Sequence, residues 1–249
     1  MERRLERDQQ PLPEAGRRYG FPWGSNQPTK GQRIAVSLLI AGVAVLALLY
    51  RLSAHPGAKT DFDLVLFGAR MMMAGRDPYP LVGPGLEFEW DFGLIYPATA
   101  FVAVLPFTIL SMKMAAAAFV ALSMFLLSYA LTEDSWHRLP IFGSAAFVDS
   151  AISAQWSPII IASLSLPMLA IFASAKPQLS FAILAGTRSK YAVVIAFFST
   201  IILVGISLYF LPEWPQHWLH LLRADTGHMK AAVTQPFGAV VLLLVLRWR

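Results

Sequence analysis

Two acids two residues apart, Asp61 and Asp63 in "TDFDLVLFGARMMMAGRDPYP" (Thr60 to Pro80), open a charged interruption in an otherwise apolar chain. A carboxylate beside a membrane surface has its pKa raised toward the working range of a general base, so either acid suits proton abstraction from a hydroxyl. Helix capping competes with that reading, because Asp61 or Thr60 at the start of a helix running to about Ala74 would satisfy free backbone N–H groups. Capping needs only one acid. Arg70 and Arg76 follow within reach of such a helix, with pairing to Asp63 or Asp77 as their plain role and phosphate binding as the sharper one. Lys176, in "FASAKPQLSF", follows an apolar run and precedes a proline. An ammonium near the membrane centre costs about 2.5–3.5 kcal/mol, so it either snorkels to the surface or heads a cavity that receives an anion.

These groups sit in a chain of 249 residues that is 56% hydrophobic and 14% charged. The apolar residues come in blocks long enough to cross a bilayer core of about 30 Å. The composition is that of a membrane protein, and the predicted class is all-α, a polytopic bundle of about six to eight membrane segments. Cysteine is absent, which removes disulfides, thiolate metal sites and cysteine nucleophiles. The net charge of +5 comes from basic residues in the N-terminal tail and at the ends of apolar blocks. That distribution fits membrane orientation and not a nucleic-acid surface.

Residues 1–33 read as a disordered tail and residues 34–249 as the membrane domain. The tail carries seven basic residues against four acidic ones, whereas His55 to Asp91 carries three against six. The positive-inside rule then puts the tail in the cytoplasm and the acidic loop outside. Spans are expected at Ile34–Tyr50, Ile95–Leu110, Met114–Leu131 and Tyr191–Phe210, with Lys113 and the "TRSK" stretch (Thr187 to Lys190) cytoplasmic. Leu139 to Gly186 is cut by four prolines into three short spans or a re-entrant segment followed by a broken helix. In the outward loop, Leu64, Phe67, Met71 and Ala74 form one apolar stripe, which predicts an amphipathic helix lying along the membrane surface. Leu211 to Arg223 is read as a second interfacial helix, with Trp214 and Trp218 at the headgroups and His217 and His220 as anchors. Met71 to Met73 are packing residues. Phe237 to Leu246 is only ten residues long before "RWR", so the chain is expected to be a fragment of a longer protein.

No phosphate-binding glycine loop, dinucleotide fingerprint, zinc-protease helix or nucleophile elbow occurs. The remaining polar candidates in apolar surroundings are Asp149 and Gln155. In order, "TDFD", "AGRDPY", "YPATAFVAVLPFTIL", "AQWSPI" and "SAKPQ" resemble the pattern of glycosyltransferase family 87 in the GT-C superfamily of membrane glycosyltransferases. The resemblance covers Thr60 to Arg249, and it departs at Ala154, where family members commonly have glycine.

The resemblance implies transfer of a sugar, mannose first among them, from a polyprenyl-phosphate donor to a glycan or glycolipid hydroxyl outside the cytoplasmic membrane, with inversion. It aligns Asp61 with the family's acid, Asp63 with a nearby alternate, and Lys176 with the lysine of a K-P element. Arg70 and Arg76 would assist at the donor phosphate, while Tyr79, Tyr96, Gln155 and Gln178 complete the substrate-binding set. No cofactor is required, and a divalent cation on Asp61 and Asp63 ranks second, since two carboxylates make a thin site. The lipid bilayer is the other partner. A transporter or flippase lined by Lys176 and Asp149 is the rival reading, with an inactive fragment as a third; the absence of a repeated half counts against the transporter.

Overall fold

The computed structural model describes residues 27–187 and 189–224. Most of the tail, Arg188 and the apolar run from Phe237 lie outside the described residues. Within them the chain is helical, and the only strand-like feature is an isolated bridge between Val82 and Phe88.

The first helix, α1 (Lys30–Ala54), starts at Thr29, whose hydroxyl accepts from the Gln32 N–H while the Gln32 side chain accepts from the Thr29 N–H. One stripe of it is buried, Ser37, Ala41, Ala44, Leu48 and Leu52. Spaced by three and four residues, it makes a single helical face, and its small residues allow close approach of a neighbour. That neighbour is α4 (Met112–Leu131), which buries Ala115, Ala116, Phe119, Val120 and Met124. The opposite face of α1 exposes Leu38, Leu39, Val43 and Leu46. The same is true of Phe197, Phe198, Ile201 and Ile202 on α8 (Lys190–Phe210). Apolar surface of this extent belongs against lipid. Among the described residues, α1, α4 and α8 are the helices long and apolar enough to cross a membrane. The protein is a multi-pass, all-helical membrane bundle.

The expected second span is not one helix. Ile95–Leu110 forms α3 (Ala98–Ala103) and a 3-10 turn at Leu105–Phe107. Pro97 and Pro106 divide it, and α3 is buried against protein from Ala98 to Val102. The direction of α4 follows from one contact: the Arg33 guanidinium, at the start of α1, donates to Tyr129 O at 2.6 Å and stacks 4.0 Å over that ring, at the end of α4. The two helices are antiparallel. Residues 55–111 therefore return to the end of the bundle where α1 finishes, and Lys113 shares that end with Asp61 instead of lying across the membrane from it.

The helix after the first span, α2 (Asp61–Met73), also departs from expectation. Phe62, Leu64, Val65, Leu66, Phe67 and Ala69 are all buried, so α2 is inserted into the bundle and does not lie on its surface. With residues 64–69 apolar on every side, it has no polar face to offer water or headgroups. Phe62 stacks on Phe119 of α4 at 4.3 Å, and Gly68 lets the Phe101 ring of α3 approach so closely that a Cβ there would lie 2.6 Å from it.

The proline-cut stretch becomes short pieces: α5 (Ala145–Ile152), α6 (Ser157–Ala162), a 3-10 run at Pro167–Ala175, and α7 (Pro177–Gly186). The last helix, α9 (Trp214–Ala224), follows α8. Its tryptophans face protein instead of headgroups: Trp214 is buried, and the Trp218 indole donates to Ile95 O at 2.7 Å.

Candidate active site

At the N-terminus of α2 the two acids are sorted by the helix cap. Thr60 Oγ1 accepts from the Asp63 N–H at 3.2 Å, and the Asp63 carboxylate accepts from the Thr60 N–H at 2.8 Å. This reciprocal box uses Asp63, which is buried, and leaves Asp61 outside it. The capping role thus falls to Thr60 and Asp63 together.

Asp61, half-buried, lines a cavity of about 90 Å³ with Lys176, Gln178 and Tyr96. Burial pushes its carboxyl above the ordinary value of 3.8, the Lys176 ammonium pulls it back, the Asp149 carboxylate raises it and Arg51 lowers it. Lys176 is the residue on which α7 begins. Pro177, at the first helical position, has no N–H to offer, and no side chain caps that end. The helix thus presents its partial positive end, through the Gln178 and Leu179 N–H groups, next to the ammonium.

The backbone of Asp61 is fixed by a second turn. Its N–H donates to Ser153 O at 3.0 Å, and Arg51 from the end of α1 bridges the two turns, donating to Ile152 O at 2.9 Å and Lys59 O at 3.3 Å. Between them Ala154 sits at φ 47°, a left-handed conformation. Asp149 points its carboxylate at this turn, accepting from the Ser153 hydroxyl at 3.4 Å and the Gln155 amide at 3.3 Å.

Of the site residues expected from sequence, Asp61, Lys176, Tyr96 and Gln178 are brought together. Tyr79 stands behind the cavity: its N–H is held by Asp77 at 3.0 Å and its hydroxyl donates to Tyr96 O at 3.1 Å, so it supports Tyr96. Gln155 holds Asp149 at the adjoining turn. Arg70 and Arg76 do not join the cluster. Arg70 lies nine residues along α2 from Asp61, about 13 Å by helical rise, and donates to the carbonyls of Leu110 and Thr108. Arg76 is paired with Glu87 at 2.5 Å, instead of Asp63 or Asp77, and both are exposed. Asp77 meets His217 of α9 at 2.6 Å, so that histidine ties α9 to the loop. No group of three His, Cys, Asp or Glu is gathered in metal-binding fashion among the described residues.

Sequence reasoning passed over Arg51, Trp90 and Phe92. Arg51 reads as a headgroup anchor at the end of a span, and nothing local reveals its carbonyl partners. Trp90 stands between Glu89 and Asp91 in "EFEWDF" and Phe92 follows Asp91, and that alternation of acid and aromatic was the available signal; both Trp90 and Phe92 line the cavity.

An all-helical multi-pass bundle with a carboxylate and an ammonium on one cavity at its end defines a polytopic membrane protein consistent with a GT-C-like architecture. Over 103 residues the chain is 37% identical to the polyprenol-phosphate-mannose-dependent alpha-(1-2)-phosphatidylinositol mannoside mannosyltransferase of Mycobacterium tuberculosis. That alignment takes in 39% of this chain and 23% of the relative, so the chain spans less than a quarter of the protein it matches. The relation is distant homology to a GT-C-like mannosyltransferase, at the level of the superfamily. No family model matches the chain, and no solved structure does.

Proposed function

We propose that the protein is a membrane glycosyltransferase that moves a sugar, mannose first among candidates, from a polyprenyl-phosphate donor to an acceptor hydroxyl at the outer face of the cytoplasmic membrane. The observation that carries this reading is the convergence of Asp61 and Lys176 on one cavity while Asp63 is held in the cap. Asp61 takes the proton of the acceptor hydroxyl as its oxygen attacks the anomeric carbon. The bond from that carbon to the phosphate oxygen breaks on the opposite face, so the configuration inverts. The electron pair leaves with the lipid phosphate, whose growing charge meets the Lys176 ammonium and the positive end of α7. Arg70 and Arg76, held elsewhere, take no part. The basic tail and the acidic composition of residues 55–91 support a cytoplasmic N-terminus with the cavity outside.

The test is sugar transfer from labelled polyprenyl-phosphate mannose in membranes carrying the chain, beside Asp61→Asn. Transfer that depends on Asp61 and yields the inverted linkage is expected. Transfer with retention would sink the direct displacement, and no transfer from any of several donor sugars by a correctly inserted chain would sink the reading altogether.

A further inference from the structure

The wall of the cavity made by Trp90 and Phe92 has a property the base and the ammonium do not explain. The Trp90 indole N–H is buried and has no hydrogen-bond partner among the described residues. A buried donor left unpaired has given up its hydrogen bond to water with no replacement, which makes it a donor awaiting an acceptor. Trp156 and Trp214 also carry unpaired indole N–H groups, but neither lines the cavity; Trp90 does.

Its placement is rigid. The Trp90 backbone N–H bonds Gly83 O at 3.4 Å and the Phe88 backbone N–H bonds Leu81 O at 2.9 Å, closing a tight loop. Gly83 at φ 155° and Gly85 at φ 72° allow that loop to turn where a side chain would be strained. Lys59 fastens the loop from outside, donating to Glu89 O at 2.7 Å and lying 4.4 Å over the Phe88 ring. Phe92 meets the indole edge-on, centroids 6.0 Å apart at 85°.

A fixed aromatic face next to a donor is a recognition surface for a ring that has electropositive C–H groups on one side and oxygens at its rim. A pyranose has that form, and pockets for small ligands combine apolar and aromatic walls with a few placed polar groups. We propose that Trp90, buttressed by Phe92, is the sugar-reading wall of this cavity: the indole face stacks on the pyranose and the indole N–H donates to one of its oxygens. The inference rests on the donor reading above and assigns the sugar and the phosphate of that donor to different groups, Trp90 to the one and Lys176 to the other.

Binding separates these roles without requiring turnover. The purified full chain in nanodiscs is titrated with synthetic heptaprenyl-phosphate mannose and with heptaprenyl phosphate, for wild type and Trp90→Phe, which keeps a ring and removes the N–H. The wild type should prefer the sugar-bearing lipid, and Trp90→Phe should lower that preference about tenfold, the scale of one well-placed hydrogen bond, while binding the bare lipid phosphate unchanged. Equal binding of the two lipids by wild type, or a preference that survives in Trp90→Phe, overturns the proposal and leaves the donor-phosphate site standing. Failure of wild type to bind either lipid overturns both this proposal and the donor reading. Should Trp90→Phe bind neither, Phe92→Leu decides: a reduced sugar preference supports the wall, and an unchanged one overturns it.

Discussion

Replacing Asp61 by Asn should separate activity from stability, and replacing Asp63 by Ala should do the reverse. Asp61 is a desolvated carboxylate outside the cap, so its charged form is disfavoured in the folded protein. Asn keeps the shape and removes the charge; folding at neutral pH should be unharmed or improved. Transfer should fall by about 10²–10⁴, the usual contribution of a general base, which corresponds to about 3–5 kcal/mol of transition-state stabilisation. Asp63→Ala strips the Thr60 N–H of its 2.8 Å partner inside the bundle. A lost cap costs about 0.5–2 kcal/mol, toward the upper end where the abandoned donor is buried, as it is here. Heat-induced unfolding of the detergent-solubilised protein measures stability, and transfer at saturating donor, corrected for folded protein, measures activity. If Asp61→Asn keeps transfer within tenfold of wild type, or unfolds as early as Asp63→Ala, the division of labour between the two acids is wrong.

The raised Asp61 carboxyl sets two opposed pH trends. Transfer needs the deprotonated form and should fall as pH drops through a midpoint above 3.8; a rate profile with its acid limb at or below that value would refute the burial argument. Because the folded chain holds this proton more tightly than the unfolded one, the contribution of Asp61 to stability is present in full below the unfolded value and is lost as pH rises through the folded value. Asp61→Asn should flatten that limb in the unfolding curve. Lys176→Met should lower kcat in transfer, and Lys176→Arg should fail to restore it, since a bidentate fork does not replace a point charge at a cavity head. Arg76→Ala should leave transfer unchanged, its partner being the exposed Glu87. Gly68→Ala drives a methyl to 2.6 Å from the buried Phe101 ring, and an earlier unfolding midpoint from a loss of about 1–3 kcal/mol is expected.

The spans at α1, α4 and α8 could be read from the chain because an apolar block of twenty residues without prolines has one economical structure in lipid. Ile95–Leu110 is as apolar, yet it folds as a broken segment packed against protein. Composition cannot tell burial against helices from burial against lipid, and the misplacement of Lys113 came from that ambiguity. The same ambiguity hid α2, whose stripe at Leu64, Phe67 and Met71 looked amphipathic only while Val65, Leu66 and Ala69 were discounted. Asp61 and Lys176 stood out as candidates because a charge in apolar surroundings carries its own signal, and the fold sets both on one cavity. Trp90, Arg51 and the true partner of Arg76 depend on contacts across 8 to 101 residues of chain, which spacing does not encode.

Ala154 shows what holds the site in shape. An L-residue at φ 47° costs about 1–2 kcal/mol relative to the right-handed region. The conformation persists because its neighbours fix it from both sides: Arg51 takes the Ile152 carbonyl, Asp61 takes the Ser153 carbonyl through its own N–H, and the Gln155 N–H bonds back to Ser150 O at 2.9 Å. Breaking the turn to relax Ala154 would free a guanidinium donor and the first N–H of α2 at once, and the latter would unseat the backbone that carries the Asp61 carboxylate. Three hydrogen bonds to backbone, one of them charge-assisted, outweigh one strained alanine. The strain at Ala154 is therefore local to the α5–α6 turn, and the position of the candidate base is the geometry that the turn preserves.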